Sequence, residues 1–268
     1  MVATNAILPR TGAVSAGTSS FAMLVLEQPL KGSYPEVDVV CTPSGKAVAM
    51  VHTNTCTPEI DAWVNLIADT AHVMGWPVDM NALYTTLFHK AMEGKADCDG
   101  IISFNYYTGE PLTDTETGRP MVLRLPESNM NIANFMRAQL YGAIATLKLG
   151  VDMLEEKEQV ETDRLMGHGG FFKTPGVGQQ ILADALNVPI TTMETAGEGG
   201  PWGMALLAAY MKNKAEGESL EDYLENRAFA SAKTSRLEPT LEGAAGFASY
   251  IQRYKVALTA QKAAADFH

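Results

Sequence analysis

Apolar and polar residues alternate along the first fifty positions of the chain and predict two consecutive β-hairpins. The first hairpin covers residues 11–27 and turns at Gly17-Thr18-Ser19-Ser20, where small polar residues separate two β-rich segments. The second pairs residues 37–41 with residues 47–52 around a turn that contains Pro43 and Gly45. The chain is therefore expected to open with antiparallel strands.

After Thr57 the apolar positions follow a helical period. Thr57 is interpreted as the N-cap of a helix that starts with Pro58, and Ser128 or Asn129 as the cap of a long helix with apolar residues out to Val151. The other predicted helices cover residues 80–92, 176–186, 202–211, 220–226 and 241–265, and the other strands 100–104, 164–166 and 188–193. This alternation predicts a single α/β domain.

Composition and charge exclude several classes of protein. With 20 basic and 31 acidic residues the net charge is −11, which argues against nucleic acid or an anionic membrane as the main partner. No apolar run approaches the ~20 residues of a membrane span, and the N-terminus has no basic leader. Cys41, Cys56 and Cys98 are too few and too scattered for a disulfide framework, so a cytoplasmic location is expected. His52 and Cys56 do not suffice for zinc.

The most informative segment is a cluster of small residues after a predicted buried strand, Gly167-His168-Gly169-Gly170-Phe171-Phe172-Lys173-Thr174. Glycines at a strand end let a ligand approach bare backbone, and the helix that follows offers free N–H groups to an anion. The segment is not a P-loop or a dinucleotide fingerprint, because Phe172 stands where each motif requires glycine. Lys173 is either a phosphate ligand or a solvated lysine.

Two other glycine clusters also fail the common motifs. The cluster at residues 197–203 has Trp202 at the last glycine position of a dinucleotide fingerprint. Residues 17–21 are not a nucleophile elbow, because Phe21 replaces its final glycine. The remaining combination is a Gly-Thr-Ser turn near the start of the chain and a strand-end glycine cluster far downstream, which together suit a nucleotide.

With these segments in this order, the chain resembles the C-terminal lobe of the FGGY carbohydrate kinases, in the superfamily of actin and hexokinase, and is most similar to their xylulokinase-like branch. Four segments carry the resemblance. Residues 11–20 resemble a phosphate-binding hairpin, Tyr107-Thr108-Gly109-Glu110 the family's Tyr-x-x-Gly-Glu loop, residues 167–186 its adenosine motif, and residues 198–209 the small-residue helix that closes the site.

The resemblance implies an α/β domain of the actin-like ATPase (ribonuclease H-like) fold, with a mixed β-sheet that opens with antiparallel hairpins and is flanked by helices. It also implies ATP and Mg²⁺ as cofactors and transfer of the γ-phosphoryl group to a ketopentose hydroxyl. The ATP-binding residues that it implies are Gly17, Thr18, Ser19, Ser20, Gly167, Gly169, Gly170, Phe171 and Lys173.

One departure from the family pattern concerns the catalytic base. The family's Asp precedes the phosphate hairpin in a Gly-Asp element, whereas here the first aspartate is Asp38. We therefore expect residues 1–268 to be one nucleotide-binding lobe with ATP or ADP as partner, no catalytic or metal-ligating residue of its own, and a separate N-terminal lobe for the ketopentose. A homodimer is left open.

Three alternatives remain from the sequence. The first is ribulokinase or another FGGY specificity, since most sugar contacts would lie outside this lobe. The second is a non-catalytic actin-like nucleotide-binding module. The third is an unrelated α/β domain with fortuitous glycines.

Overall fold

The computed structural model describes residues 1–193 and 199–265, and both predicted hairpins are present in it. β1 (Thr11–Ala16) and β2 (Ser20–Val25) pair antiparallel on either side of the Gly-Thr-Ser turn. β3 (Val37–Cys41) and β4 (Ala47–Thr53) form the second hairpin, and β4 also pairs antiparallel with β2. The alternating sequence and the turn residues thus specify the first half of the sheet.

The sheet becomes mixed at β1, which lies between the early hairpins and the later strands. β7 (Arg164–His168) pairs parallel with β1, and β8 (Ile190–Met193) pairs parallel with β7. β9 (Thr234–Leu237) closes the far edge antiparallel to β8. The seven strands have the order β3-β4-β2-β1-β7-β8-β9, and two short strands, β5 (Ile102–Phe104) and β6 (Met121–Leu123), pair separately.

Seven α-helices are found in the described residues, besides short 3₁₀ and π segments. They are α1 (Pro58–Val73), α2 (Met80–Ala91), α3 (Ile132–Glu158), α4 (Val177–Leu186), α5 (Gly199–Asn213), α6 (Leu220–Tyr223) and α7 (Leu241–Ala264). Among them, α3 has the central position, because it contacts β2 and β4 of the sheet as well as α1, α2, α4 and α7. Its buried residues therefore surround the helix instead of forming a single stripe, and they include the polar Arg137, Gln139 and Thr146.

The structure corrects several local predictions. Asn131, not Ser128 or Asn129, caps α3, since its side chain accepts the N–H of Asn134. Two strands, β6 and β9, were not predicted. β6 is only three residues long, and three of the four residues of β9 are exposed, so neither has the alternating apolar pattern of a half-buried strand. Glu198, which begins the segment expected to close the site, lies outside the described residues.

Within residues 1–193 and 199–265, no helix combines the length and apolar character needed to cross a bilayer.

Candidate functional site

The turn between β1 and β2 presents free backbone donors at the carboxyl end of β1. The N–H of Gly17 donates to the carbonyl of Ser19 at 2.9 Å and closes the turn. Within the described part of the chain, no protein group accepts the N–H of Thr18 or of Ser19. Thr18 is exposed. Adjacent free amides in a tight turn form a concave site of positive potential, which suits a phosphate.

The start of α1 is hydrogen-bonded to this turn. The N–H groups of Cys56 and Thr57 donate to the carbonyls of Thr18 and Gly17 at 2.8 and 2.9 Å. Thr57 makes no side-chain capping bond, contrary to its interpretation as a capping threonine, and it lines a pocket beside the turn. The positive end of the α1 dipole therefore lies at the same place as the free amides.

The first turn of α1 also carries two acids, which differ in their surroundings. Glu59 is buried and accepts a 2.7 Å bond from Nε1 of Trp63; burial raises the pKa of its carboxyl. Asp61 lines the pocket, and its Oδ1 accepts a 2.8 Å bond from the hydroxyl of Tyr84. Burial and this bond raise the pKa of Tyr84 to about 12.

The three glycines at the end of β7 have different roles, and Gly167 is part of the strand itself. Gly167 lies against the ring of Phe172, where an added Cβ would be 2.5 Å from its Cε1 atom. Gly169 has φ 105° and ψ −178°, a combination open essentially to glycine, and its Cα faces the backbone of Ala16. Gly170 has open space where a Cβ would be. The cluster thus brings the ends of β1 and β7 together and leaves bare backbone facing solvent.

The turn and the glycine cluster line one cleft, which we call the turn pocket, of about 540 Å³. Gly17, Thr18 and Thr57 form one side, and Gly170, Lys173 and Thr174 form another. One face of α2 forms a further wall, with Asn81, Tyr84, Thr85 and Phe88. The two segments that the sequence singled out, far apart along the chain, therefore meet around a single cavity.

A second cavity of about 490 Å³, the strand pocket, lies on the other side of the glycine cluster. It is lined by Gly167, Gly169 and Phe172, by the start of α4, and by the ends of β8 and β9. Gly170 and Lys173 line both pockets, so the two cavities meet there. Lys173 is exposed, and none of the ion pairs formed in the described ranges involves its ammonium. Burial lowers the pKa of His168 in the strand pocket, so its ring is neutral at pH 7.

Three of the predicted contact residues do not line these pockets. Ser20 is fully buried, and its hydroxyl is 2.7 Å from Oγ1 of Thr53. Phe171 is fully buried in the main core and is not available to stack on a purine. Ser19 lines neither pocket, and its carbonyl accepts the N–H of Gly17 inside the turn. The structure brings together the other six: Gly17, Thr18, Gly167, Gly169, Gly170 and Lys173.

The wall formed by α2 was missed from the sequence, although it has a recognisable spacing. Asn81, Tyr84, Thr85 and Phe88 follow the i, i+3, i+4, i+7 period of one helix face, and this face mixes polar and aromatic residues. The sequence predicts its members only as part of the helix over residues 80–92. A face of this composition beside a predicted nucleotide turn is the signal that could have identified the wall.

Comparisons with known proteins show which sequences this chain resembles. The sequence model of the FGGY family of carbohydrate kinases, C-terminal domain, matches residues 12–211. The xylulose kinase of Haemophilus influenzae is 22% identical over 241 residues, which are 90% of this chain and 45% of that protein.

Solved structures show the same fold. The xylulose kinase from Rhodospirillum rubrum superposes with a TM-score of 0.73 at 17% identity, over 96% of this chain and 49% of the other. The Plasmodium falciparum glycerol kinase with ADP also gives 0.73, at 15% identity, over 97% and 49%. The chain spans about half the length of the relatives that it matches. It belongs to the FGGY family of carbohydrate kinases, as a C-terminal domain with the actin-like ATPase fold.

Proposed function

We propose that this chain is the ATP-binding lobe of an ATP-dependent sugar kinase. The observation that carries the proposal is the shared lining of the turn pocket by Thr18 and Gly170, which come from opposite ends of the predicted nucleotide motif. The phosphates bind at the turn, where Gly17 and Thr18 line the pocket and the amide of Thr18 is free, beside the N-terminus of α1. The adenosine lies along residues 167–173, and Lys173 contributes a charge where the two pockets meet.

Mg²⁺ accompanies the nucleotide in this proposal. Among the described residues that line the turn pocket, Asp61 is the one with a carboxylate. In the same residues no cluster of three or more metal-ligating side chains occurs. Such a donor set fits Mg²⁺ that keeps several waters and is held chiefly by phosphate oxygens. The bound ion supplies charge neutralisation at the transferring phosphoryl group.

The proposed reaction is in-line transfer of the γ-phosphoryl group to a hydroxyl of a ketopentose, for which xylulose is the first candidate because two of the similar proteins are xylulose kinases. A glycerol kinase superposes equally well, so a polyol is one alternative substrate, and ribulose or another FGGY substrate is a second. The base is an aspartate of an N-terminal lobe, and closure of the two lobes excludes water. The described cysteines are free thiols, which suits a cytoplasmic enzyme.

The proposal is tested by titrating ADP into the purified chain and into Gly17→Arg. Gly17 has open space around its Cα and lines the turn pocket, so arginine is tolerated by the fold and fills the cleft. We expect saturable ADP binding by the wild type and a loss of at least about tenfold in affinity in the variant. Ser44→Arg is the matched control, because the β3–β4 turn lies at the opposite end of the sheet.

Two results would contradict the proposal. One is the absence of saturable ADP binding by the wild type. The other is equal ADP binding by Gly17→Arg and Ser44→Arg, which would place the nucleotide elsewhere.

We also expect the 268-residue chain to turn over no sugar by itself. The proposed base belongs to the other lobe, and residues 1–37 contain no aspartate. A coupled assay for ADP release with xylulose and Mg·ATP measures this. Substantial xylulose-dependent turnover by the purified chain would refute the assignment of the base.

A further inference from the structure

A buried acid outside both pockets is linked to the phosphate turn by a continuous set of hydrogen bonds. Glu110 is completely buried, and its Oε2 and Oε1 atoms accept the N–H groups of Asn54 and Thr55, each at 3.0 Å. Among the ion pairs of the described residues, none involves Glu110. A buried carboxylate without a cation depends on such donors, because its ionised form has a large desolvation cost.

The segment that Glu110 holds is the connection between β4 and α1. The side chain of Asn105 donates to the carbonyls of Thr55 and Cys56 at 2.9 and 3.0 Å, and the side chain of Asn54 donates to the carbonyl of Gly109 at 2.6 Å. The loop 105–110 therefore fixes this connection on both its N–H and its C=O groups.

The same connection holds the turn between β1 and β2. The N–H groups of Cys56 and Thr57 donate to the carbonyls of Thr18 and Gly17, as described above. These two bonds set the direction of the turn's peptide planes, and hence of its free amides. Displacement of residues 54–57 would redirect the amides that face the turn pocket.

On its other side the loop is anchored to the helical core. The hydroxyl of Tyr106 lies 3.1 Å from that of Thr113, 2.9 Å from that of Thr146 on α3 and 3.1 Å from that of Tyr254 on α7. All four side chains are buried. The loop is thus a rigid support, so a change at Glu110 is transmitted toward the turn.

We propose that Glu110 is a positioning residue for nucleotide phosphates, which acts on the turn at Gly17 and Thr18 through residues 54–57. This inference rests on the proposed nucleotide site. An ionised carboxylate accepts strongly on both oxygens, whereas the hydroxyl oxygen of a protonated carboxyl is a weaker acceptor and the NH₂ of an amide only donates. Loss of the charge therefore loosens the connection.

Because the hydrogen bonds from residues 54 and 55 are strongest to an ionised Glu110, the proposed binding of nucleotide phosphates depends on pH. Burial raises the pKa of Glu110 to about 7, while the backbone bonds from Asn54 and Thr55 oppose the shift. In the part of the chain that the structure describes, the titratable groups that face it are Cys56 and Tyr106, and burial raises the pKa of both. They stay neutral between about pH 6 and pH 8.5, so Glu110 is the group that changes charge.

The stability of the fold changes in the opposite direction to phosphate binding. A carboxyl whose pKa is raised in the folded state stabilises the fold most when protonated, below its ordinary value, and this contribution is lost as the pH rises through about 7. Ionised Glu110 thus orients the turn for phosphate binding but lowers the free energy of unfolding. A residue with a structural role alone would not separate the two properties in this way.

The test compares wild type, Glu110→Gln and Glu155→Gln by calorimetric titration of ADP and of adenosine. Glu155 is the matched control: burial raises its pKa too, but it lies near Arg10, at the other end of β1 from the turn. At about pH 8.5 we expect Glu110→Gln to lower ADP affinity about tenfold and adenosine affinity less than about twofold. At about pH 6 the ADP affinities of wild type and Glu110→Gln converge, and their ratio cancels the protonation of ADP itself.

Two outcomes overturn the inference while the proposed function stands: unchanged ADP affinity in Glu110→Gln at high pH, or equal losses for ADP and adenosine. Failure of the wild type to bind either ligand overturns the proposed function as well. If Glu110→Gln does not fold, Asn54→Ala at an exposed position removes the bond to Gly109. It is then expected to lower ADP affinity about threefold without changing adenosine affinity, and an unchanged ADP affinity overturns the inference.

Discussion

Gly169→Ala is expected to destabilise the domain by about 3 kcal/mol and to abolish detectable ADP binding. The residue has φ 105° and ψ −178°, where a Cβ is strained, and that Cβ would also meet the backbone of Ala16. The strain can be relieved only by separating the ends of β1 and β7. Since these ends carry the turn and the glycine cluster, stability and binding fall together. Urea unfolding followed by tryptophan fluorescence, with parallel ADP titration, measures both.

Gly170→Ala is the matched control for this substitution. Gly170 is next in the chain but has an ordinary φ and open space around its Cα, so alanine there changes the free energy of unfolding by no more than about 0.5 kcal/mol. Equal stability of the two variants would show that the backbone at Gly169 does not need glycine.

The second large effect is expected at Tyr254 of α7. Its side chain is fully buried, its ring lies 4.4 Å from that of Phe104, and its hydroxyl lies 3.1 Å from those of Thr146 and Tyr106. Tyr254→Ala leaves a cavity of ring size and unpairs a buried hydroxyl network, for an expected loss of about 4 kcal/mol in the free energy of unfolding. For a domain of ordinary stability, this loss is a large share of the total free energy of unfolding.

Tyr254→Phe separates the two contributions. The ring is retained, and the hydroxyls of Tyr106 and Thr146 still bond to each other at 2.9 Å, so we expect a loss of about 1 kcal/mol. Chemical denaturation of the three proteins checks the series. A phenylalanine variant as unstable as the alanine variant would mean that the hydroxyl network, and not the packing of the ring, holds α7 in place.

The predictability of the fold differs among its elements for physical reasons. The two hairpins are specified locally, because their alternation and their turn residues are adjacent in sequence. The edge strand β9 is specified only by its neighbour β8: three of its four residues are polar and exposed, so no periodic apolar pattern predicts the strand. The cap of α3 was misplaced because Ser128, Asn129 and Asn131 are all good caps by residue type, and backbone direction decides among them.

The segments that form the site could be predicted from the sequence, but which of their side chains are accessible could not. Small residues marked the turn and the glycine cluster, which the structure places around one pocket. Burial decides which side chains within a segment are accessible, and it depends on tertiary packing; Ser20 and Phe171 point into the interior for this reason. The role proposed for Glu110 depends on hydrogen bonds among three segments, and no local pattern encodes such a network.

The parallel pairing of β1 with β7 has a consequence for the order in which the chain folds during synthesis. Ser15 pairs with His168, so the chain must be synthesised as far as β7 before β1 can acquire its second neighbour, although β2 can pair with β4 much earlier. Pairings so distant in sequence are slow to form, and until then one edge of β1 carries unpaired peptide groups open to other chains. Both sides of the cleft are thus created in one late step of folding, and a polypeptide released before His168 retains the hairpin without the groove.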